Sequence, residues 1–138
     1  MIPLRILLVE DHDESRLALE RLLHMSGHSA SLATCAADAR SLAASEVFNV
    51  LLIDLGLPDG SGIDLLRDLR ANSAAPALAL TAFGEEWFAD SCVEAGFCGW
   101  LVKPVVFDDL LHAIESAAGG PARPLNPAPP TSGRSCGI

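Results

Sequence analysis

Charged and hydroxyl side chains directly follow several short apolar runs of this sequence. The set contains three carboxylates, one hydroxyl and one ammonium: Glu10, Asp11, Asp54, Thr81 and Lys103. Carboxylates held close together repel each other and resist ionisation unless a cation compensates their charge. Mg²⁺ suits such a group, because it is a hard ion that prefers oxygen ligands and keeps several waters. The residue types therefore predict a magnesium site, provided that the fold brings the side chains together.

Lys103 is the only lysine in the chain, against eight arginines. A lysine ammonium is a compact point charge, whereas a guanidinium is a planar fork. Its use opposite the acids indicates that a compact positive charge is needed there. Taken one at a time, these residues have ordinary explanations as a surface lysine, a strand-end turn or a helix cap. Their joint occurrence at the ends of four apolar runs favours a functional site.

Five apolar runs, separated by segments of helix length, must position these side chains. The runs are Arg5–Val9, Ser29–Leu32, Val50–Ile53, Ala77–Leu80 and Gly99–Val102. Continuous apolar runs are typical of strands buried on both faces, and each gap can hold a crossover helix. The pattern predicts an α/β fold: a flavodoxin-like (βα)5 doubly wound, parallel five-stranded sheet in a three-layer sandwich. Ligands of such sheets bind beyond the carboxyl ends of the strands.

Helical spacing and capping signals appear between the runs. Ala18, Leu22 and Met25 repeat with helical period, and Gly27 stands where a helix end favours a left-handed residue. Ser61 is placed to cap a third helix. A last helix carries one apolar stripe, formed by Phe107, Leu110, Leu111, Ile114 and Ala118.

Two further segments, Ala36–Ala44 and Glu85–Ala95, give weaker helix signals. Residues 1–118 are predicted to form the folded domain. Residues 119–138 hold five of the nine prolines and little apolar content, which predicts a disordered tail or linker.

Composition restricts the function. The chain has 138 residues, half of them hydrophobic, which is enough for the core of one domain. Its net charge of −9 disfavours binding to nucleic acid or to anionic membranes. The first apolar run is too short for a signal peptide or a spanning helix, so we expect a cytoplasmic protein. The four cysteines, at positions 35, 92, 98 and 136, lack zinc-ligand spacing and are expected to be free and mostly buried.

The ordered motifs resemble the response regulator receiver domains of two-component signalling, in the style of the receivers joined to hybrid histidine kinases. The resemblance covers about Leu4 to Ala118 and includes Asp-Leu-Gly-Leu-Pro-Asp-Gly-Ser-Gly at positions 54–62. It also includes the acidic pair at 10–11, Thr81-Ala82 and Lys103-Pro104.

The resemblance implies that Asp54 is the phosphoacceptor. It takes a phosphoryl group from a phosphohistidine on a histidine kinase or a histidine phosphotransfer protein. Mg²⁺ is implied as the cofactor, bound directly by Asp11, Asp54 and the backbone carbonyl of Gly56. Glu10 is implied to act mostly through a metal-bound water.

Further roles follow from the same resemblance. Thr81 hydrogen-bonds one phosphoryl oxygen, Lys103 pairs with another, and a cis peptide bond precedes Pro104. Trp100 occupies the position of an aromatic switch residue, which responds to movement of Thr81. Phosphorylation is thereby implied to switch the face formed by the fourth helix, the fifth strand and the fifth helix.

This chain also departs from the usual pattern. Glu10 is one methylene longer than the aspartate often found there, which we expect to adjust metal affinity. Gly56, two residues after the phosphoacceptor, has no side chain. We hypothesise that this leaves water an open approach to the acyl phosphate, unless Phe83 screens it from the other side.

These features together imply a signalling switch, not an enzyme that turns over an external substrate. Its output requires a downstream protein partner or an output domain outside this sequence, and the switched face could also support a homodimer. One alternative is an aspartyl-phosphate phosphohydrolase of the haloacid dehalogenase type. Such enzymes typically have a second Asp where this chain has Gly56. The other alternative is a receiver-like interaction module that is not phosphorylated.

Overall fold

A parallel sheet of five strands forms the centre of the protein. The computed structural model describes residues 3–82 and 93–119. Within these ranges the main strands are β1 (Arg5–Val9), β2 (Ser29–Ala33), β3 (Val50–Asp54), β4 (Ala77–Thr81) and β5 (Phe97–Val102). The spatial order is β2-β1-β3-β4-β5, and every neighbouring pair is parallel. This is the flavodoxin-like order, so the predicted fold is confirmed.

Four helices whose bounds lie within the described residues cover the two faces of the sheet: α1 (Asp13–Met25), α2 (Ala36–Ser45), α3 (Gly62–Leu69) and the C-terminal helix (Phe107–Gly119). Alternate strand residues point to opposite faces. Leu7, Val9 and Leu51 pack with α2 and α3, whereas Ile6 and Leu8 pack with α1 and the C-terminal helix. The result is the predicted three-layer sandwich.

The strands extend slightly beyond their sequence-based limits. β3 and β4 each include the polar residue that follows the apolar run, so Asp54 and Thr81 are strand residues. β5 begins at Phe97, two residues before the predicted start. A two-stranded hairpin of residues 56–57 and 60–61 connects β3 to α3.

The core-facing side of α1 differs from the apolar repeat in the sequence. Leu19 and Leu23 are buried, whereas Met25 is 67% exposed. In the C-terminal helix, Leu110 and Ile114 are buried as predicted, but Ala118 is exposed. Two further local predictions agree with the structure: Gly27 has a positive φ of 91°, and Ser61 Oγ accepts a hydrogen bond from the Ile63 amide at 3.0 Å. This bond supplies the helix cap at the start of α3.

Several predictions fall outside the described residues: most of the helix at 85–95, Phe83, two cysteines and nearly all of the tail. Residues 93–95 are helical, and the C-terminal helix continues to Gly119, one residue beyond the predicted boundary. Cys35 and Cys98 are free thiols and are half-buried. Within the part of the chain that is described, no helix is long and apolar enough to cross a membrane.

Candidate functional site

The carboxyl edge of the sheet brings the predicted side chains together from four strands. Glu10 directly follows β1, Asp54 and Thr81 end β3 and β4, and Lys103 directly follows β5. The Lys103 ammonium lies 2.8 Å from Asp54 Oδ2 and 2.8 Å from Glu10 Oε1. An ion pair thus joins residues 49 positions apart in the sequence.

Glu10 is the most deeply placed acid of the site, with no exposed surface. Burial raises the pKa of its carboxyl group, since a low-dielectric environment disfavours the charged form. The ion pair with Lys103 opposes this shift, and the neighbouring Asp54 adds to it. The Glu10 carboxylate therefore depends on nearby positive charge to remain ionised.

Lys103 supplies part of that positive charge. Burial by itself would lower the pKa of its ammonium, but the contacts with Asp54 and Glu10 outweigh burial and raise the pKa above its ordinary value. Lys103 is therefore a cation at neutral pH. One ammonium cannot neutralise three carboxylates, so the site favours a further cation.

Glu10, Asp11 and Asp54 can each direct one oxygen into a common space, and these oxygens lie within 4.8 Å of one another. Three oxygen donors at this spacing, with Asp11 exposed, fit a hard divalent cation that retains waters. The amide of Gly56 donates to Asp54 Oδ1 at 3.0 Å, which fixes the carboxylate beside the loop that carries the Gly56 carbonyl. The residues present are thus suited to hold Mg²⁺.

Two glycines that follow Asp54 lie close to its backbone: Gly56, near the start of the loop after β3, and Gly62, the first residue of α3. A Cβ at position 62 would lie 2.3 Å from the backbone oxygen of Asp54, so only glycine fits there without a shift. A Cβ at Gly56 would have no neighbour within 4 Å. One side of the loop is closely packed, and the other is open.

Asp59, in the same loop, contacts the start of α2. Its carboxylate accepts hydrogen bonds from the amides of Ala36, at 2.8 Å, and Ala37, at 3.1 Å. These bonds lower the pKa of Asp59. This role of Asp59 was not predicted from the sequence, in which the Pro-Asp-Gly turn at positions 58–60 is the only local signal.

Arg16, in α1, contacts the backbone of the acidic pair. Its Nη1 donates to the carbonyl oxygens of Glu10, at 3.1 Å, and Asp11, at 3.4 Å. The role of Arg16 was not predicted from the sequence either. No motif marked it, because its partners are backbone atoms.

Thr81 and Pro104 lie at the same carboxyl edge of the sheet, whereas Trp100 lies within β5, three residues before Lys103. Thr81 Oγ1 donates to the carbonyl of Ala82 at 3.2 Å, and the Lys103 amide donates to the Thr81 carbonyl at 2.8 Å. Trp100 is half-buried in β5 and packs against the core shared with α2 and α3. The peptide bond between Lys103 and Pro104 is cis.

Comparison with known proteins gives one consistent family. Residues 6–115 match the response regulator receiver domain family. The sensory/regulatory protein RpfC of Xanthomonas campestris pv. campestris is 30% identical over 130 residues, which cover 91% of this chain and 18% of RpfC. Protein PetR of Rhodobacter capsulatus is 35% identical over 114 residues, covering 83% of this chain and 48% of PetR. The chain thus spans half or less of the length of these relatives.

The fold comparison agrees. A crystal structure of a response regulator protein from Burkholderia pseudomallei, with a phosphorylated aspartic acid, calcium ion and citrate, superposes with a TM-score of 0.76. The two chains are 28% identical, and the match covers 83% of this chain and 68% of the other. Since the family match takes in β1 to the C-terminal helix and the fold agrees with it, this chain belongs to the response regulator receiver domains of two-component systems.

Proposed function

We propose that Asp54 accepts a phosphoryl group from a phosphohistidine on a histidine kinase or a histidine phosphotransfer protein. The observation that carries the proposal is the ion pair of Lys103 with Asp54, next to two further carboxylates that can share a cation with it. Transfer of a phosphoryl group requires mainly positioning and neutralisation of the charge on its oxygens. This edge of the sheet offers both.

The transfer requires no general base. One carboxylate oxygen of Asp54 attacks the phosphorus, an O–P bond forms, the P–N bond to the histidine breaks, and the electron pair leaves with the imidazole nitrogen. An ionised carboxylate is already a nucleophile. Lys103, 2.8 Å from Asp54 Oδ2, is close enough to pair with a phosphoryl oxygen once the group arrives. We propose that Thr81 hydrogen-bonds another oxygen.

Receiver domains use Mg²⁺ at an acidic pocket. We propose that Asp11, Asp54 and the Gly56 carbonyl bind it directly, and that Glu10 acts through a bound water. The ion would offset negative charge on the phosphoryl oxygens. The phosphorylated aspartic acid and calcium ion of the Burkholderia pseudomallei protein support the proposal, because that protein shares the fold and 28% of the sequence.

The consequence of phosphorylation is a change of partner binding. It adds about two negative charges at Asp54, which bias a two-state equilibrium of the surrounding structure. We propose that Thr81 and Trp100 transmit this change to the face that includes β5 and the C-terminal helix. A downstream protein, an output domain or a second copy of the chain would read that face. Residues 119–138 would serve as a tail or linker, and the protein would work in the cytoplasm without turning over an external substrate.

The test is phosphorylation of the chain by acetyl phosphate and Mg²⁺, followed by intact mass spectrometry. We expect one acid-stable, base-labile adduct, which is absent in Asp54→Asn. Asp59→Asn is the matched control, since it removes an exposed carboxylate from the same loop and should still be labelled.

Other outcomes contradict the proposal. Continuous release of phosphate without an adduct would indicate the phosphohydrolase. Absence of labelling by acetyl phosphate and by a panel of phosphohistidine donors would indicate an interaction module that is not phosphorylated. An unchanged Trp100 fluorescence on addition of beryllofluoride and Mg²⁺ would remove the switch role of that residue.

A further inference from the structure

We propose that Arg16 is a positioning residue, which sets the metal affinity of the site by holding the backbone of the β1–α1 loop. Its guanidinium donates to the backbone carbonyls of Glu10 and Asp11. The side chains of these two residues are two of the three carboxylates of the site. This inference rests on the proposed function, because it concerns the same cation.

The guanidinium is held from two directions. Nη1 reaches the two carbonyl oxygens at 3.1 and 3.4 Å, and Nη2 pairs with Asp13 Oδ1 at 2.6 Å. The Arg16 side chain is only 13% exposed, whereas that of Asp13 is 82% exposed. Arg16 is therefore packed against the loop, while its ion-pair partner lies in solvent. The contact with the part-buried Glu10 carbonyl is the stronger part of this arrangement, since exposed ion pairs contribute little.

The loop has few other anchors among the described residues. His12 precedes the first residue of α1 but makes no side-chain capping bond. Its amide donates instead to Glu10 Oε2 at 3.1 Å. Lys103 fixes the carboxylates of Glu10 and Asp54, but no described side chain donates to the carboxylate of Asp11. The position of Asp11 therefore depends on its backbone. The Glu10 amide anchors that backbone to β2 by donating to the Ala33 carbonyl at 3.0 Å, and Arg16 anchors it to α1.

The sign of the effect separates positioning from simple charge. A positive guanidinium near the site repels a divalent cation, so charge alone predicts tighter Mg²⁺ binding when Arg16 is removed. Positioning predicts weaker binding, because residues that orient metal ligands typically contribute about tenfold or more to affinity. The two explanations give opposite results in one measurement.

The experiment is isothermal titration of the full chain with Mg²⁺, with thermal unfolding as a check on folding. We expect Arg16→Ala to bind about tenfold more weakly than wild type. Arg16→Lys should also bind more weakly, because it keeps the charge but its side chain is one bond shorter than the path to Nη1 and lacks the planar fork. Equal or tighter binding in a folded Arg16→Ala overturns the proposal. If Arg16→Ala does not fold, Arg16→Lys is used instead, and Mg²⁺ binding equal to or tighter than that of wild type again overturns the proposal.

Two control variants isolate the carbonyl contacts. Asp13→Asn removes the exposed ion pair and should stay close to wild type. Arg67→Ala removes an arginine of α3 with the same i,i+3 pairing to an aspartate, Asp64, at 3.3 Å. It should leave Mg²⁺ binding unchanged. If Asp13→Asn lost as much Mg²⁺ affinity as Arg16→Ala, the ion pair would be the cause of the effect. The proposal that the carbonyl contacts cause it would then be overturned.

A second measurement separates this inference from the proposed function. Phosphorylation by acetyl phosphate is followed over a range of Mg²⁺ concentrations. In Arg16→Ala the half-saturating Mg²⁺ concentration should rise by about tenfold, while the rate at saturation stays near that of wild type. Wild type that binds Mg²⁺ but is never labelled contradicts the proposed function and leaves the role of Arg16 intact. Wild type that binds no Mg²⁺ overturns the role of Arg16.

Discussion

A glycine stands near each end of the connection between β3 and α3, and the two glycines differ in what surrounds them. At position 62 the absence of a side chain allows α3 to start against the backbone of Asp54, with the Gly62 amide donating to the Leu55 carbonyl at 2.9 Å. At Gly56 the absence of a side chain leaves open space next to the same aspartate. A glycine near a reactive group can therefore determine either packing or access.

The largest expected effect is at the packed end. Gly62→Ala should destabilise the fold by about 3 kcal/mol, because its Cβ would meet a backbone oxygen that cannot move cheaply. Urea unfolding followed by circular dichroism measures this change. A loss of less than about 1 kcal/mol would show that the loop relaxes easily, and the contrast between its two ends would then disappear.

At the open end we expect an effect on phosphorylation lifetime. Gly56→Asn should lengthen the life of the aspartyl phosphate by about tenfold, or about 1.4 kcal/mol in the barrier, because the new side chain obstructs water. The decay of purified phosphorylated protein, followed by intact mass, gives the rate. Equal lifetimes in the variant and in wild type would mean that water does not approach over Gly56.

Asp59 lies between the two glycines, and its substitution shows how much the middle of the loop contributes to stability compared with its ends. Asp59→Asn should destabilise the protein less than Gly62→Ala does, since it weakens an exposed helix cap. The carboxylate has a lowered pKa in the folded state, so its contribution is present above its ordinary pKa and is lost as the pH falls through the lowered one. Thermal unfolding at several acidic pH values should show wild type and variant converging. A constant difference at all pH values would contradict this role for the charged cap.

The smallest expected effect has the opposite sign. Gly56→Ala should stabilise the protein by about 0.5 kcal/mol, since φ at this position is not in the left-handed region and the added methyl group meets nothing. It also serves as the matched control for Gly62→Ala in the same urea experiment. A destabilisation similar to that of Gly62→Ala would show that Gly56 is also constrained.

The strands and the residues at their ends were predictable, because continuous apolar runs such as Val50–Ile53 occur mainly in buried parallel strands. The face of α1 was harder to predict. Leucines stand at positions 17, 19, 22 and 23, so the helical period alone does not select the buried side. The roles of Arg16 and Asp59 could not be predicted, because their partners are backbone groups that only the fold brings within reach.

The spacing within the β3–α3 loop has a practical consequence for protein engineering. The Asp59 carboxylate must reach the first amides of α2 while Gly62 packs on the Asp54 carbonyl. These two contacts fix the number of residues that the loop can have between positions 59 and 62. An inserted epitope or a deletion here would break one of the two contacts. Val47, in the segment between α2 and β3, is 83% exposed and is the better place for a graft or a label.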